Sequence, residues 1–418
     1  MELLKTTFLQ AFGYVKTLVK WLTLSLLVGV IGGVVGSAFH VSIDYVTELR
    51  TEIHWLVYLL PVGGLAIAGI YALFRSKGKL DTNRVLDAVR QEEKVPLVMA
   101  PLIFIGTVIT HLFGGSAGRE GAALQLGGSI GYNVGKAVRL RKHDIHMIVM
   151  AGMSAVFSAL FGTPLTAAIF SLEVTNVGTM RYGAFLPCVA SSIVAAHIAK
   201  VFGLSAVAFP GIGLSAVTLD SAAKVIFLAV LCALVSILFC FLIKQCEHWM
   251  EKCFQNRYLR SFIGGIMIVV LMLLVGTRDY NGAGMNVVAR AMAGEVHYEA
   301  FFLKMIFTAI TIAAGFKGGE IVPTFFIGAT FGCAMGQLIG LDAGFAAAVG
   351  FVAVFCGVVN CPIASCILAL EVFGSQNILL FAVVCAISYM MSGYSGLYKS
   401  QTIVYSKLGE EQVDISTK

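Results

Sequence analysis

The chain has 418 residues, of which 58% are hydrophobic and 12% are charged, and its formal net charge is +6. Soluble globular domains carry about 25% charged residues, so this composition excludes an ordinary soluble protein and predicts a polytopic membrane protein. The modest positive charge predicts basic cytoplasmic loops rather than a nucleic-acid-binding surface. The ten cysteines lack the spacing of metal ligands, which predicts buried free thiols. We expect no metal site and no cofactor.

The amino-terminal region predicts a first span that is not a cleaved signal. Lys5, Lys16 and Lys20 precede an apolar stretch from Trp21 to about His40, which is long enough to cross a bilayer at about 20 residues. Several of the later apolar segments are short or broken by glycine, which predicts tilted and partial helices. These segments lie at about 55–74, 95–113, 121–137, 145–173, 183–208, 222–245, 259–276, 301–315, 323–340, 344–372 and 376–394.

Positively charged residues cluster at both termini, between Arg75 and Lys94, and between Lys136 and Lys142. The positive-inside rule therefore predicts cytoplasmic ends for a multi-pass protein of the cell (inner) membrane. About twenty residues follow the last apolar segment. We therefore expect no soluble regulatory domain at that end.

An internal repeat divides the chain into two related halves. Pro164 and Glu173, in Gly162-Thr-Pro-Leu-Thr-Ala-Ala-Ile-Phe-Ser-Leu-Glu, are echoed 198 residues later by Pro362 and Glu371. In transporters such halves commonly have opposite topology, with a midplane site where broken helices converge. The predicted organisation is all-α, with a cytoplasmic segment at 1–20, inverted transmembrane repeats at 21–210 and 211–398, and a short cytoplasmic tail at 399–418.

Glu120 is the candidate functional residue of the first half. It ends Gly114-Gly-Ser-Ala-Gly-Arg-Glu, and from Val95 to Val138 the only other formal charges are Arg119 and Lys136. A carboxylate on irregular backbone at membrane depth is costly unless it lines a cavity or a permeation path. A second glycine-flanked acid, Glu320, follows 200 residues later. The two matching acids predict ion handling.

Broken helices of this kind predict an anion site. A helix N-terminus presents unpaired N–H groups and the positive end of the helix dipole, so two such ends facing one point hold an anion without a full positive charge. The glycines at 118, 121, 318 and 319 would let the backbone approach an ion closely. A carboxylate at this site competes with the anion. Once protonated it could swing away, so one side chain can couple anion and proton movement.

In combination these motifs resemble the CLC family of anion channels and anion/proton antiporters, from about Leu24 to Tyr398. Gly118-Arg-Glu-Gly121 is similar to the gating-glutamate motif, which implies that Glu120 is the gate and the proton carrier. Gly319-Glu-Ile-Val-Pro323 resembles the loop whose backbone amides hold the central anion. Tyr398 resembles the pore tyrosine. The anion-binding residues that the resemblance implies are Gly118, Arg119, Gly121, Gly319, Glu320, Ile321 and Tyr398.

Departures from the family pattern point to a particular branch. The Gly-Ser-Gly-Ile-Pro motif, whose serine coordinates chloride, is replaced by Lys79-Leu-Asp-Thr-Asn-Arg-Val, so Asp81, Thr82 and Asn83 are candidates for a helix start at the anion site. Val174 replaces an internal proton-relay glutamate, Ala122 replaces a proline, and Glu320 is an extra acid. These differences resemble the fluoride/proton antiporter branch, although that branch often has methionine near Asp81 or Thr82.

The resemblance implies a CLC-like homodimer in the lipid bilayer, without CBS domains, in which each subunit exports fluoride in exchange for protons. A chloride/proton antiporter and a passive chloride channel remain open as competing functions. An intramembrane enzyme would need a Ser–His pair, paired aspartates or a His-Glu-x-x-His helix, and no such constellation stands out in the sequence. We therefore expect a transporter rather than an enzyme.

Each candidate residue could also serve the fold alone. A structural role is the favoured interpretation for Glu173 and Glu371, which end apolar segments in both halves. Glu120 could form an ion pair with Arg119, and Glu320 could form one with Lys317. Tyr398 could belong to an interfacial belt of aromatic residues, and Thr82 with Asn83 could form a plain helix cap.

Overall fold

The computed structural model describes residues 2–74, 80–91, 93–214 and 216–417, with side chains from residue 11 onward. Part of the predicted basic stretch, at 75–79, lies outside the described residues, as does the side chain of Lys5. The described ranges contain sixteen α-helices, which form two sets of eight in the same order.

The first set comprises α1 (Glu2–Glu52), α2 (Leu60–Leu73), α3 (Thr82–Gln91), α4 (Met99–Leu112), α5 (Glu120–Ala137), α6 (Lys142–Phe161), α7 (Pro164–Glu173) and α8 (Phe185–Val201). The second set comprises α9 (Leu219–Cys253), α10 (Arg257–Val275), α11 (Met285–Met292), α12 (Ala300–Ala313), α13 (Ile321–Ile339), α14 (Ala343–Val359), α15 (Pro362–Phe373) and α16 (Ile378–Met391). Helix α1 runs unbroken past residue 20, so the predicted start of the first repeat falls inside a continuous helix.

The helix lengths confirm a polytopic membrane fold with partial spans. Across the described ranges, seven helical stretches are long and apolar enough to cross a membrane. Five further apolar helices, α4, α12, α14, α15 and α16, have only 10–17 residues. A span needs about 20 residues, so these five are shorter than a typical full span.

Close glycine contacts hold the interior helices of each half together. A Cβ at Gly127 of α5 would lie 2.2 Å from the carbonyl oxygen of Gly152 on α6, and a Cβ at Gly328 of α13 would lie 2.2 Å from that of Gly350 on α14. In a membrane, helices associate through such small residues because lipid gives no hydrophobic drive between them. The same device in both halves is consistent with their duplication.

Contacts between the halves are reciprocal. Gly118 and Gly319 form an antiparallel bridge in which each N–H donates to the other's carbonyl at 2.7 Å. Exchange of both bonds is the ordinary geometry of a hydrogen-bonded antiparallel pair. The bridge joins equivalent glycine-rich breaks of the two halves, as expected for a pair of inverted repeats that meet at their broken helices.

A small sheet departs from the all-α expectation. It consists of β1 (Asn176–Val177), β2 (Thr402–Tyr405) and β3 (Gln412–Ser416), with β1 parallel to β2 and β2 antiparallel to β3. Side-chain exposure alternates along β3, as expected for a strand with one face covered. The predicted tail at 399–418 therefore folds back onto the helical body.

Candidate functional site

The two glycine-flanked acids meet at the bridge between the halves. Glu120 is the first residue of α5, and Glu320 is the residue just before α13. A Cβ at Gly121 would lie 2.7 Å from Gly319 Cα and 3.2 Å from Glu320 Oε2. Only glycine fits such an approach. Both carboxylates therefore lie beside the first turn of α5, although they are 200 residues apart in sequence.

The Glu120 carboxylate occupies the N-terminal end of α5. Its side chain is 2% exposed, and Oε2 accepts the backbone N–H of Arg119 at 3.0 Å. This is the position that the helix dipole makes favourable for an anion. The buried carboxylate thus occupies the place where a transported anion would bind.

A chain of charged groups leads away from Glu120. Arg119 Nε lies 3.6 Å from Glu120 Oε1, while Arg119 Nη1 donates to Asp44 Oδ1 at 2.8 Å. His40 Nε2 lies 3.1 Å from the other oxygen of Asp44. Asp44 has a side chain that is 52% exposed, against 16% for Arg119. The guanidinium is therefore shared between a buried carboxylate and one open to solvent.

A cavity of about 960 Å³ lies on the Glu320 side of the bridge. Its polar wall includes Glu320, Tyr398 and Gln125, and its cationic groups belong to Lys244, Arg257, Arg260, Lys317 and Lys399, with Asp81, Glu247 and Glu251 as further acids. The Tyr398 side chain is buried, yet its hydroxyl has no hydrogen-bond partner in the structure. A buried hydroxyl is normally satisfied, so this donor is available to an ion in the cavity.

The start of α3 lies on the wall of the same cavity. Asp81, which precedes the helix, accepts the N–H of Arg84 at 3.2 Å and so caps it. Thr82 accepts from the Gln125 side chain at 3.1 Å, and Asn83 accepts the N–H of Ser400 at 3.0 Å. Asp81 therefore caps α3, while the side chains of Thr82 and Asn83 link α3 to α5 and to the segment after Tyr398.

The N-termini of α7 and α15 are each capped by a carboxylate from the opposite half of the molecule. The amides of the second and third residues of α7, Leu165 and Thr166, donate to the Glu371 carboxylate at 3.0 and 2.8 Å. Conversely, the corresponding amides of α15 donate to Glu173 at 3.2 and 2.9 Å. Each half supplies the carboxylate that caps a helix of the other half. This arrangement favours the structural interpretation of both glutamates.

The starts of α5 and α13 differ from those of α7 and α15. The residue that precedes each of the four helices makes no side-chain capping hydrogen bond. A carboxylate from the opposite half caps α7 and α15, whereas at α5 the helix's own Glu120 carboxylate lies at the N-terminus. The first-turn N–H groups of a helix have no intrahelical acceptor. Pro323 of α13 has no N–H at all, so the first-turn donors there belong to Ile321 and Val322. The first-turn amides of α13 are therefore available to an anion, whereas the Glu120 carboxylate occupies the N-terminus of α5.

Two details differ from the sequence-based expectation. The amides of Gly118 and Gly319 donate to each other, and one N–H makes one strong hydrogen bond, so neither is available to an anion in this conformation. The Arg119 guanidinium faces Asp44 and Glu120 instead of the cavity. The glycines allow the two backbones to approach closely, and Arg119 lies beside the Glu120 carboxylate.

Sequence reasoning missed Asp44, His40 and Gln125. All three lie on long apolar helices, where a polar or charged side chain marks a functional site. Gln125 is one and a half turns beyond Glu120 on α5, and its carbonyl oxygen has no partner in the structure. Attention to polar residues within spans, as well as to glycine-rich breaks, would have found them. Lys317 remains a candidate partner of Glu320, and its ammonium group lies 4.5 Å from the centre of the Tyr71 ring.

Comparison with known proteins gives concordant results. A family model described as "Voltage gated chloride channel" matches residues 63–393. A "Chloride/fluoride channel protein" of Pseudomonas syringae pv. tomato is 37% identical over 395 residues, which cover 93% of this chain and 87% of the relative. The "H(+)/Cl(-) exchange transporter ClcA" of Vibrio cholerae is 26% identical over 427 residues, with 94% and 90% covered.

Two solved structures are similar over almost their whole length. The crystal structure of a CLC-type fluoride/proton antiporter superimposes with a TM-score of 0.88 at 31% identity, covering 92% of this chain and 98% of that one. A slow cyanobacterial Cl-/H+ antiporter gives a TM-score of 0.78 at 20% identity, covering 89% and 94%. At that lower identity the likeness concerns the fold alone.

Proposed function

Because this chain belongs to the voltage-gated chloride channel (CLC) family, we propose that it is an anion/proton antiporter that exports fluoride in exchange for protons. The observation that carries the proposal is the meeting of two acids, the buried Glu120 and the half-buried Glu320, at the starts of α5 and α13. A passive leak needs one gate at most. A second acid beside the same turn supports coupled movement of protons.

In the proposed cycle, Glu120 alternates between two states. Charged, it occupies the α5 N-terminus and excludes the substrate anion. Protonated, it loses its attraction to the helix dipole and to Arg119, and an anion takes its place. A proton carried by Glu120 in one direction is thereby linked to an anion moving in the other. The amides of Ile321 and Val322 are the donors for the anion at the opposite helix start.

Fluoride is favoured by the chemistry of the donors around the cavity. It is a small and strong hydrogen-bond acceptor, so O–H and N–H donors select it more effectively than a cavity sized for chloride. Tyr398 offers an unpartnered hydroxyl, and Glu320 offers a second O–H when protonated. The relatives whose names include fluoride, at 37% and 31% identity, also support this assignment.

A chloride/proton antiporter and a passive chloride channel are the competing functions. Val174 stands where the chloride/proton branch has an internal glutamate, and this replacement supports the fluoride branch. Without that glutamate, a proton would need another acceptor such as Glu320. We also propose that the protein works as a homodimer in the inner membrane. The basic groups around the cavity support a cytoplasmic opening on that side.

Flux from reconstituted vesicles tests the proposal. Proteoliposomes loaded with fluoride or chloride are diluted into anion-free buffer, and external anion and external pH are recorded with and without an uncoupler. We expect fluoride efflux accompanied by alkalinisation of the outside medium, and chloride efflux at least about tenfold slower, which corresponds to 1.4 kcal/mol of discrimination. Chloride flux equal to fluoride flux would refute the selectivity, and anion flux without opposing proton movement would identify a channel.

A variant of Glu320 distinguishes fluoride–proton exchange from the two competing functions. The variant Glu320→Ala removes the second acid at the α5 turn, and we expect loss of fluoride–proton exchange while the protein still elutes as a monodisperse peak. Glu295→Ala, at an exposed loop position, is the matched control. Intact fluoride exchange in Glu320→Ala would reduce Glu320 to a structural residue.

A further inference from the structure

The segment that follows Tyr398 folds back onto the helical body beside the cavity. We call residues 400–417 the clasp; it contains β2 and β3 and pairs with β1 just after α7. Ile403 of β2 and Val177 of β1 are both buried. The clasp is therefore a packed element of the fold.

The clasp holds the backbone of Tyr398 directly. The Thr417 hydroxyl donates to the Tyr398 carbonyl at 2.6 Å, and the Gln401 amide donates to the same oxygen at 2.9 Å. Thr417 also donates its own N–H to the Gln401 carbonyl at 3.1 Å. Two hydrogen bonds thus hold the Tyr398 carbonyl, and a third joins the two ends of the clasp to each other.

Other contacts fix the clasp to α3, whose start lies on the cavity wall. Ser400 donates its amide to Asn83 at 3.0 Å and its hydroxyl to Asp87 at 2.8 Å. Arg90, in the last turn of α3, donates to the Thr402 hydroxyl. The clasp therefore ties Tyr398 to the helix that carries Asp81 and Thr82.

Gln401 also connects the two halves of the molecule. Its fully buried side-chain amide donates to the carbonyl of Val174 at 3.0 Å and to that of Val359 at 2.7 Å. Val174 follows α7 of the first half, and Val359 ends α14 of the second. Through Asn360, which donates to the side-chain carbonyl oxygen of Gln401 at 3.2 Å, the network reaches Lys407 of the clasp.

We propose that the clasp sets the position of the Tyr398 hydroxyl in the pore, and that Thr417 and Gln401 are positioning residues that determine anion selectivity. The inference rests on the proposed function, because it needs Tyr398 to donate to the transported anion. A hydrogen bond weakens steeply with distance and angle. Selectivity for a small acceptor therefore depends on where the hydroxyl is held. Among the described residues no group hydrogen-bonds that hydroxyl, so its place follows from the backbone that the clasp fixes.

The test compares Thr417→Val with Thr417→Ser. Valine keeps the shape and the backbone bonds but removes the hydroxyl donor, whereas serine keeps the donor. We expect Thr417→Val to lower the ratio of fluoride to chloride flux about fivefold, the effect of one lost hydrogen bond. Thr417→Ser should have the wild-type ratio of fluoride to chloride flux. Elution profile and thermal midpoint in detergent serve as checks that both variants fold.

A double variant shows whether the effect passes through the Tyr398 hydroxyl. In the Tyr398→Phe background, Thr417→Val should change the flux ratio no further, because the group that the clasp positions is already absent. Gln401→Ala provides a second disturbance of the clasp with the same expectation. An unchanged ratio in Thr417→Val, or an equal additional loss in the Tyr398→Phe background, would overturn the proposal. Wild-type protein without fluoride–proton exchange would instead refute the proposed function, so the two failures are distinguishable.

Discussion

At the scale of single residues, the proposed role of Glu120 as the gate depends on what its carboxylate contacts. It accepts the Arg119 amide and lies 3.6 Å from the Arg119 guanidinium, which in turn is 2.8 Å from Asp44. The charged form is thus held by a helix end and by a cation that another acid also attracts. The balance between these contacts decides how readily the gate opens.

Replacing Glu120 with glutamine should separate anion movement from proton movement. Glutamine has the same shape but carries no charge and releases no proton, so Glu120→Gln should pass fluoride without counter-movement of protons. Parallel recordings of fluoride and pH in proteoliposomes measure this. Glu52→Gln, at an exposed position on α1, should behave as wild type. Unchanged coupling in Glu120→Gln would remove Glu120 from the gate role.

Asp44 should favour the open gate because it competes for Arg119. In Asp44→Asn the guanidinium pairs more fully with Glu120 and stabilises the charged, closed form. The expected loss is about 1 kcal/mol for a half-exposed pair, or roughly fivefold in fluoride flux at neutral pH. Flux measured against pH should therefore shift its midpoint to lower pH. Asp220→Asn, an exposed acid paired with Lys224, is the control, and faster flux in Asp44→Asn would contradict this account.

At the scale of helices, the N-termini of α5, α7, α13 and α15 fall into two pairs, according to whether a carboxylate from the opposite half caps them. Those of α7 and α15 are closed by Glu371 and Glu173 from the opposite half, whereas those of α5 and α13 are not. The capped pair joins the two halves, and the other pair forms the anion site that we propose. In this proposal, similar helix ends serve assembly in one place and anion binding in another.

Removing one cross-cap should destabilise the protein without changing its selectivity. Glu371→Ala leaves two amides and the Thr166 hydroxyl without their acceptor, at a cost of about 2–4 kcal/mol. We expect a thermal midpoint in detergent lower by about 5 °C and an unaltered ratio of fluoride to chloride flux. Glu371→Gln, which keeps one acceptor oxygen, should lose less. A changed flux ratio with an unchanged midpoint would show that Glu371 belongs to the transport site.

The sequence predicted the helical segments, the duplication and the two acids, because each leaves a local mark of hydropathy, glycine content or spacing. It did not predict which helix starts are capped, because Glu371 lies 206 residues from Leu165. The clasp was also missed, since β2 and β3 are short and their partner strand β1 has only two residues. The amides of Gly118 and Gly319 were assigned to an anion because a sequence does not reveal that each bonds the other.

At the scale of the whole molecule, one chain contributes every group of the site. The α5 start, the α13 start, Tyr398 and the cavity wall all come from the two halves of a single subunit. Homodimerisation, as proposed, would therefore place two complete sites side by side. Neither subunit would need a residue from its partner for transport.

Mixed dimers should consequently keep half of the exchange activity. Linking a wild-type copy to a Glu320→Ala copy leaves one intact site, so fluoride–proton exchange per dimer should fall to about half, with the wild-type ratio of fluoride to protons. Linked wild-type and linked double-variant dimers are the references. Loss of all exchange in the mixed dimer would indicate that the two subunits operate as one unit.

The cross-caps also constrain how the protein is made. Leu165 and Glu371 are 206 residues apart, and ribosomes add about 5–20 residues per second, so α7 exists for roughly 10–40 s before its acid has been synthesised. During that interval the nascent first half carries uncapped amides at membrane depth. The first half therefore completes its hydrogen bonds only after nearly all of the second half has been inserted. The two halves must then complete their folding together.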